Sequence, residues 1–322
     1  MKARRLLITG AAGFTGAHAV HYFHAAGAEV TAVVRRPPAA LIWPEGVKQQ
    51  VCDLSDRSAV AAMIAEAEPD EVLHLAGRNS VPESWRDPLL YMETNVMATL
   101  YLLEALRARP AGRILVAGSR LKYRPGTAAG PPHPYSLSKT LEELVSLAWG
   151  TLFKQPVLLA EPCNLIGPGP STGFCTLVAQ HIVRSETAAA GGADADAPQV
   201  FRLSSRQALR DFLDVRDAVR AYDYILRSGA EGTVYRIDSG TQRTLGDISV
   251  KLLAHAKAPV PMDWGPDVPG QAPDPAGAAE GEAPDEAVEN AAALGWKPEI
   301  SLERSLKEIV DYCRSGREGR LS

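Results

Sequence analysis

A tyrosine and a lysine lie four residues apart in the segment YSLSK, at Tyr135 and Lys139. On a helix this spacing places both side chains on one face, so that the ammonium lies beside the phenol. The ammonium favours the phenolate. The tyrosine could then exchange a proton with an alcohol or a ketone near neutral pH. Because the chain has nine tyrosines, the spacing alone is weak evidence for such a site.

Ser119 adds a second group that could act on the same substrate oxygen. It follows a predicted strand, RILVA at residues 113–117, and its hydroxyl could donate a hydrogen bond to a carbonyl oxygen near Tyr135. A hydroxyl that simply terminates a strand is the alternative interpretation. Together the three residues predict a site of proton transfer to or from an alcohol or ketone.

The segment RLLITGAAGFTG (residues 5–16) predicts a strand, a tight turn and the start of a helix. Gly10, Gly13 and Gly16 follow the apolar strand at three-residue intervals. Glycines permit a tight turn and the close approach of a pyrophosphate, which the free amides of a helix N-terminus also suit. A glycine-rich turn without a ligand is the alternative, but the strand before it and the helix at 17–26 favour the dinucleotide site.

The end of the second predicted strand, at residues 29–34, indicates which dinucleotide is bound. An acidic residue there would bond the ribose 2′-hydroxyl of NAD, whereas an arginine suits the 2′-phosphate of NADP. This chain has Arg35 and Arg36 at that position. We therefore predict NADP(H), with NAD(H) as the other possibility; two solvated surface arginines are the simpler interpretation.

Strand and helix patterns alternate through the first half of the chain. Further strands are predicted at residues 47–51, 71–75, 113–117 and 157–160, with helices at 58–68, at 91–107 and from Tyr135 onward. The alternation predicts a Rossmann-type α/β fold, a doubly wound parallel sheet with helices on both faces. Ligands bind at the carboxyl ends of such strands, where Leu75, Ala76 and Gly77 lie.

The second half of the chain lacks the regular alternation of strands and helices. Residues 164–174 are turn-forming, a strand is predicted at 233–238, and helices are predicted to about residue 184, at 245–256 and at 302–313. Residues 265–286 hold six acids and no base among prolines, glycines and alanines, which predicts a mobile loop. We predict an NADP-binding domain over residues 1–165, to which 206–239 add, and a smaller mixed substrate-binding lobe over 166–322.

Composition limits the classes of partner. The chain of 322 residues has a net charge of -4 and no basic block, so we expect a small-molecule partner and neither nucleic acid nor a membrane. A strand begins almost at once and no long apolar run follows, which predicts a cytoplasmic protein. The four cysteines are scattered and should be reduced. His18, His21 and His24 recur on one helix flank without carboxylate or thiolate neighbours, so we expect no metal site.

The motifs TGAAGFTG, LHLAG, NVMATL, VAGS, YSLSK and NLIGPG occur in an order that resembles the extended short-chain dehydrogenases/reductases, the NAD-dependent epimerase/dehydratase family. The resemblance covers nearly the whole chain. Three segments, NSVPESW (residues 79–85), NLIGPGPSTGF (164–174) and ALRDFLDVRDAVRAY (208–222), look most like the GDP-4-keto-6-deoxymannose reductases, which use NADPH to reduce a nucleotide-sugar ketone.

The resemblance implies roles for residues at matching positions. It makes Ser119, Tyr135 and Lys139 the catalytic triad. Residues implied around the cofactor are Gly10, Gly13, Phe14, Thr15, Gly16, Arg35, Arg36, Asp53, Leu54, Leu75, Ala76, Gly77, Asn95, Tyr135, Lys139 and Pro162. Residues implied around the sugar nucleotide are Asn79, Ser80, Val81, Asn164 and Arg210. Arg210 suits a pyrophosphate, although a surface salt bridge is its alternative role. Relatives also pair two helices in a homodimer, and the matching helices here are apolar on more than one side.

Some positions depart from the family pattern. Related 4,6-dehydratases carry an acidic pair after the catalytic serine or threonine, where this chain has Arg120 and Leu121, so dehydration is not expected. Relatives usually have an arginine where this chain has Glu161, and an Arg-Pro step that is missing between residues 261 and 284. The segment 123–134 is also shorter than in typical reductases of the family. These departures predict a reshaped sugar pocket.

The leading hypothesis is an NADPH-dependent reductase of a 4-keto-6-deoxy nucleotide sugar, with a GDP-sugar favoured and Tyr135 as the proton donor. A nucleotide-sugar C4 epimerase with tightly bound NAD(P) is the alternative from the same family. A non-catalytic NADP-binding regulator is the alternative from another class, and the presence of Ser119, Tyr135 and Lys139 argues against it.

Overall fold

The computed structural model describes residues 4–37, 43–126, 130–191, 199–265 and 288–316. The loop predicted at 265–286 lies outside these ranges apart from its first residue.

Eight parallel strands form the central sheet. Numbered along the whole chain, they are β1 (Arg5–Thr9), β2 (Glu29–Val34), β3 (Lys48–Val51), β4 (Glu71–His74), β5 (Arg113–Ala117), β6 (Val157–Pro162), β10 (Val234–Ile237) and β13 (Val288–Asn290). A mixed three-stranded sheet contains β7 (Asn164–Ile166), β9 (Leu209–Asp214) and β11 (Gln242–Thr244), and β8 (Phe201–Arg202) pairs with β12 (Met262–Asp263). The strand order of the large sheet is β13-β10-β6-β5-β4-β1-β2-β3.

The helices alternate with the strands of the large sheet and then cluster in the second half. They are α1 (Phe14–Ala25), α2 (Arg57–Ala67), α3 (Val81–Arg86), α4 (Pro88–Tyr91), α5 (Ala98–Ala108), α6 (Pro134–Phe153), α7 (Phe174–Ala190), α8 (Val215–Ser228), α9 (Leu245–Leu253) and α10 (Leu302–Arg314). A short 3₁₀ segment covers Ala291–Leu294. None of the helices in the described ranges is long and apolar enough to cross a membrane.

Both faces of the large sheet are covered. Along β1, Leu6 and Ile8 belong to the core that includes α1 and α8, whereas Leu7 belongs to the core that includes α2 and α5. This alternation follows from the two-residue period of a strand, and burial on both faces explains the unbroken apolar run. The chain leaves β1 toward β2 and β3 on one side and returns to β4 on the other. The predicted doubly wound fold is therefore confirmed, and its ligand crevice is expected where the order reverses, between β1 and β4.

The glycine turn is required by the close packing of β1, α1 and β4. Gly10 has a φ of +67°, and a Cβ there would lie 2.7 Å from the backbone nitrogen of Ala76. A Cβ at Gly16 would collide with the carbonyl oxygen of Gly10. A side chain at either position would push the helix or the neighbouring strand away from the turn. Two of the three glycines thus have a structural role whether or not a ligand is bound.

The predicted helix at residues 91–107 contains an irregularity that its apolar pattern did not indicate. Residues Met92–Met97 form a π-helical turn between α4 and α5, and Asn95 lies within it, fully buried. A π turn changes the helical register by one residue and leaves the apolar pattern on either side intact, so periodicity does not detect it. Such turns are frequent at functional sites.

The second half of the chain builds a smaller lobe around its own core. Apolar side chains of α7, α9 and α10 pack together with residues of the small sheet. Buried acids join this lobe to α8: Asp214 accepts a hydrogen bond from Ser305 Oγ at 2.6 Å, and Asp217 accepts the backbone N–H of Ile300 at 2.8 Å. In contrast, β10 and β13 add to the large sheet. The division at residues 165 and 166, with residues 206–239 added to the first domain, stays a prediction.

Candidate active site

The glycine turn leaves the first amides of α1 open to a ligand. Gly13 is the N-cap of this helix, and no side chain among the described residues caps it. Phe14 and Thr15 form the first turn and are partly buried. Free N–H groups and the positive end of the helix dipole favour a phosphate at this point. The geometry is therefore compatible with the predicted pyrophosphate site.

The predicted adenosine end of the cofactor site lies beside β2 and β3. Arg35 and Arg36 follow β2 directly and are exposed. Asp53 and Leu54 follow β3, and Asp53 accepts hydrogen bonds from the backbone N–H and the hydroxyl of Ser55. These bonds, with smaller contributions from the charges of Arg35 and Arg36, hold the pKa of Asp53 below its usual value. The two arginines therefore lie close enough to Asp53 to affect its titration and remain accessible to a ligand.

Asn95 holds the loop that follows β4. Its Oδ1 accepts the backbone N–H of Arg78 at 2.8 Å, and its Nδ2 donates to the carbonyl of Arg78 at 3.0 Å and to Ser138 Oγ at 2.9 Å. A Cβ at Gly77 would lie 3.1 Å from Asn95 Oδ1 and 3.7 Å from Lys139 Nζ. Of the predicted cofactor residues after β4, Gly77 is thus brought against Asn95 and Lys139, whereas Leu75 and Ala76 lie against Gly10 of the glycine turn.

Ser119, Tyr135 and Lys139 meet at the carboxyl edge of the sheet. Ser119 follows β5, while Tyr135 and Lys139 occupy the first two turns of α6. Tyr135 is 5% exposed, and its pKa responds to the Ser119 hydroxyl and to the charge of Lys139, so that both groups lie near the phenol. Lys139 Nζ donates to the carbonyl oxygen of Ala117 at 2.9 Å. Pro162 ends the adjacent strand β6. Tyr135 and Lys139, which their spacing paired, thus lie together with Ser119, which was predicted to join them from its place after a strand.

Two aromatic rings frame Tyr135. The His133 ring stacks on it with centroids 5.9 Å apart, and Tyr91 meets it edge-on at 6.2 Å. His133 is the N-cap of α6, with its Nδ1 accepting the backbone N–H of Ser136 at 2.9 Å. Tyr91 Oη accepts the backbone N–H of Ser80, the N-cap of α3, at 3.0 Å. The phenol is thereby held in one orientation by side chains that are themselves hydrogen-bonded.

The titration of Tyr135 differs from the sequence expectation. Burial raises the pKa of Tyr135, whereas the charge of Lys139 and the hydrogen bond from Ser119 act to lower it, and the charge of Glu142 raises it further. The pKa is raised on balance, so the protein alone holds a protonated phenol. Glu142 was not predicted as a site residue. An acid three residues after a lysine on a helix is an ion-pair signal that could have revealed it.

A buried hydrogen-bonded chain crosses the floor of the site. His74 is 1% exposed; its Nδ1 lies 2.7 Å from Thr9 Oγ1 and its Nε2 lies 3.0 Å from Thr99 Oγ1. Burial, with a smaller effect of the Lys139 charge, lowers the pKa of His74 to about 3. A neutral ring that donates from Nε2 and accepts at Nδ1 satisfies both contacts. The histidine of the LHLAG motif therefore links β1, β4 and α5 under the predicted cofactor site.

The predicted substrate residues lie on two sides of the crevice. On one side, Asn79 is exposed in the loop before α3, and Ser80 and Val81 begin that helix. On the other side, Asn164 begins β7 and donates from Nδ2 to the carbonyl oxygen of Asp211 at 3.0 Å. Arg210 lies beside it on β9, with its Nη1 donating to its neighbour's carbonyl at 2.7 Å.

Arg120 is a further cation that the sequence analysis noted only as a departure. It follows Ser119 directly, and its guanidinium lies 4.0 Å from the carboxylate of Asp211, its single ion-pair partner within the described part of the chain. Its side chain is 18% exposed. Asp211 also accepts the backbone N–H and the hydroxyl of Ser239. Arg120 thus contacts β9 through Asp211, next to which Arg210 lies on the same strand.

The family model for the NAD dependent epimerase/dehydratase family matches residues 6–238. The chain belongs to this family. The family resemblance read from the motifs is thereby confirmed, as is the expectation of a nicotinamide-dependent enzyme. The match runs from the glycine turn through the Tyr135–Lys139 pair to the end of β10.

Similar proteins include GDP-6-deoxy-D-mannose reductase of Pseudomonas aeruginosa, which is 33% identical over 97% of this chain and 98% of its own. The solved structure of RMD from Pseudomonas aeruginosa complexed with NADPH has a TM-score of 0.74 at 29% identity, covering 98% of each chain. UDP-glucose 4-epimerase of Thermus thermophilus, solved with NAD, has a TM-score of 0.76 at 23% identity, covering 96% of this chain and 98% of its own. The last similarity establishes the fold only.

In this member of the family, Glu161 takes part in a buried charge cluster. Glu161 is 2% exposed and forms an ion pair with Lys122, which also bonds both carboxylate oxygens of Glu143 at 2.7 Å. Burial raises the pKa of Glu143 to about 7, the charge of Lys122 acts to lower it, and Glu161 raises it. Glu161, at the position where the resemblance predicts an arginine, thus lies beside Lys122. The carboxylates of Glu161 and Glu143 share the one ammonium of Lys122.

We expect this cluster to make the stability of the protein fall as pH rises from about 5 to 8. A carboxyl whose pKa is raised by folding binds its proton more tightly in the folded state, so stability is lost between the unfolded and folded pKa values. Glu143→Gln should remove this dependence, and its Tm relative to wild type should rise by roughly a few degrees across the range. Thermal melts at several pH values test this, with the exposed Glu66→Gln as control. Parallel curves for wild type and Glu143→Gln would contradict the assignment.

Proposed function

We propose that the protein is an NADPH-dependent reductase of a 4-keto-6-deoxy nucleotide sugar, with a GDP-sugar as the favoured substrate. The observation that carries the proposal is the buried phenol of Tyr135 near Ser119, with Lys139 one turn away on α6, at the same edge of the sheet as the uncapped N-terminus of α1. A carbonyl reductase needs a proton donor beside the nicotinamide, and these elements supply it. The GDP-sugar specificity is supported by the 33% identity to a GDP-6-deoxy-D-mannose reductase.

Each residue of the triad has one task in this proposal. The bound NADPH supplies the hydride that reduces the carbonyl carbon. The Ser119 hydroxyl donates a hydrogen bond to the carbonyl oxygen, and Tyr135 gives its phenolic proton to the alkoxide as it develops. Lys139 orients Tyr135 and donates to the nicotinamide ribose. The raised pKa of Tyr135, due first to its burial, suits a residue that must be protonated before the reaction.

The crevice offers cations and amides for a nucleoside diphosphate. Arg210 and Arg120 lie on the β9 side near Asn164, and guanidinium groups bind phosphate oxygens with parallel hydrogen bonds. Arg120 stands where dehydratases carry an acid, so the proton transfers of dehydration have no acidic donor at that position. We therefore favour reduction over dehydration.

The first experiment incubates the protein with NADPH and 4-keto-6-deoxy sugars carrying GDP, dTDP or UDP, and follows NADPH absorbance. We expect oxidation with at least one donor, the GDP-sugar being fastest. Tyr135→Phe should lower kcat by about 10²–10⁴-fold with NADPH affinity retained, because it removes the transferable proton. Tyr224→Phe, a partly buried tyrosine of α8, is the matched control.

No NADPH oxidation with any of the three donors would contradict the reductase assignment. If the purified protein carried tightly bound NAD(H) and interconverted C4 epimers without net NADPH consumption, the epimerase alternative would replace it. Tyr135→Phe with unchanged kcat would contradict the role of the phenol.

The cofactor preference gives a separate prediction. We propose that Arg35 and Arg36 bind the 2′-phosphate of NADP(H), because both are exposed at the end of β2. Alanine at either position should weaken NADPH binding by about tenfold, the loss expected for one charged hydrogen bond, and leave NADH binding unchanged. Fluorescence titrations with both cofactors test this, with Arg304→Ala on α10 as control. Equal losses for NADPH and NADH would contradict it.

We also propose that the protein forms a homodimer through α5 and α6. Large apolar side chains on or next to this helix pair are exposed: Met97 at 38%, Leu144 at 46%, Leu152 at 67% and Phe153 at 37%. Leu144→Glu should therefore shift the protein toward a monomer in size-exclusion chromatography with light scattering. Leu177→Glu, on α7 at 43% exposure, is the matched control and should leave the dimer intact. A wild-type monomer at all concentrations would contradict this assembly.

A further inference from the structure

Glu142 is buried with Lys139 and bonds it directly. The distance from Lys139 Nζ to Glu142 Oε2 is 2.6 Å, and the two residues are 7% and 1% exposed. An ammonium has three N–H donors. In this structure one is used by Glu142 and one by the carbonyl oxygen of Ala117 at 2.9 Å. One donor is therefore left for the tyrosine and the cofactor, and its direction is fixed by the other two.

The burial of this pair explains why a carboxylate is needed there. Removing one partner of a buried ion pair is strongly destabilising, because it leaves the other charge buried without a counter-charge. Burial is the largest single influence on the pKa of Lys139 and acts to lower it, but the charge and hydrogen bond of Glu142 together with the neighbouring Tyr135 outweigh it, and the pKa is raised. The charge of Glu142 therefore helps Lys139 to keep its proton, and the charge of Lys139 in turn acts to lower the pKa of Glu142, which burial raises.

Few charged groups other than Lys139 lie near the Glu142 carboxylate. Its Oε1 lies 3.3 Å from Thr99 Oγ1 on α5, and Thr99 in turn contacts the neutral His74 of β4. On its own helix the ionisable groups facing it are Lys139 and Tyr135, and β5 contributes only the carbonyl of Ala117. The neighbouring carboxylate, Glu143, bonds Lys122 in the separate cluster with Glu161. Within the described residues, Lys139 is thus the cation that Glu142 neutralises.

We propose that Glu142 is a positioning residue for the proton transfer: its carboxylate fixes the Lys139 ammonium and offsets its charge, so that Tyr135 enters the reaction as a protonated acid. A lone ammonium would favour the phenolate, which suits oxidation of an alcohol. In the Lys139–Glu142 pair the two opposite charges cancel, so the phenol keeps its proton, which suits the reduction of a ketone. The proposal rests on the proposed function only in taking Tyr135 as the acid.

The directions of the pKa shifts agree with this geometry. The pKa of Tyr135 is raised first by burial; the charge of Lys139 opposes the rise, and that of Glu142 adds to it. Neutralising Glu142 leaves the ammonium unopposed. The phenol should then ionise at lower pH, and the alkaline limb of the kcat profile should move to lower pH with it.

The test uses Glu142→Gln and Glu142→Asp in the full chain. Ultraviolet titration of phenolate, with the corresponding Tyr135→Phe variant subtracted, isolates Tyr135 among the nine tyrosines and needs no substrate. We expect Tyr135 to ionise at lower pH in Glu142→Gln than in wild type. We expect Glu142→Asp to fall between them, because its shorter side chain keeps the charge but withdraws it from Nζ. In turnover assays the ratio of kcat at high pH to kcat at neutral pH should fall about tenfold in Glu142→Gln.

The outcomes separate this proposal from simpler roles. If Glu142 had a purely structural role, its replacement would lower Tm, would lower kcat by the same factor at every pH, and would leave the pH at which Tyr135 ionises unchanged. That result would overturn the proposal. If Glu142→Gln does not fold, the result for Glu142→Asp decides. Ionisation of Tyr135 at the wild-type pH in that variant overturns the proposal, and ionisation at a lower pH than in wild type supports it. Glu104→Gln, which removes an exposed carboxylate paired with Arg107, controls for net charge and should behave as wild type. If none of the nucleotide sugars is reduced, the result counts against the proposed function, whereas the substrate-free titration of Tyr135 still tests the role of Glu142.

Discussion

The ammonium of Lys139 is a positive charge buried at the carboxyl edge of the large sheet, and the rest of the site depends on how that charge is balanced. Glu142 neutralises it from one side and the carbonyl of Ala117 orients it from another. Asn95 holds the adjacent loop through Arg78, so that Gly77 approaches Nζ closely. Glu142 lies on the same helix as Lys139 and moves with it, whereas a movement of α6 relative to β5 would break the bond to the Ala117 carbonyl and lose the orientation of the ammonium.

Close packing at the glycine turn imposes a second constraint. The turn brings β1 and α1 so near to β4 that neither Gly10 nor Gly16 has room for a side chain. The same proximity lets Thr9 reach His74, whose ring connects onward to Thr99 and the π-helical turn. The predicted phosphate end and proton-transfer end of the site are therefore linked by one buried polar chain. Such a fully satisfied chain stiffens a site that must hold a dinucleotide and a substrate together.

Where this chain departs from the family pattern, it has rearranged its charges. Glu161 lies where the resemblance predicts an arginine, and it pairs with Lys122, which also bonds Glu143. Arg120 lies where the resemblance to dehydratases predicts an acid, and it is near Asp211. Both charges are thus balanced by partners that only the fold brings next to them.

The sequence by itself determined the sheet, the glycine turn and the Tyr135–Lys139 pair, because strand period, glycine spacing and helical spacing are local properties of the chain. Residues 29–34 and 113–117 were predicted at the bounds observed for β2 and β5. Tertiary structure alone decided the π-helical turn at Asn95, the path through His74, and the partners of Glu142 and Lys122. These contacts join residues on different elements, such as Thr99 and Glu142. Whether an acid is exposed or buried against a lysine depends on how helices and strands pack, which no local pattern records.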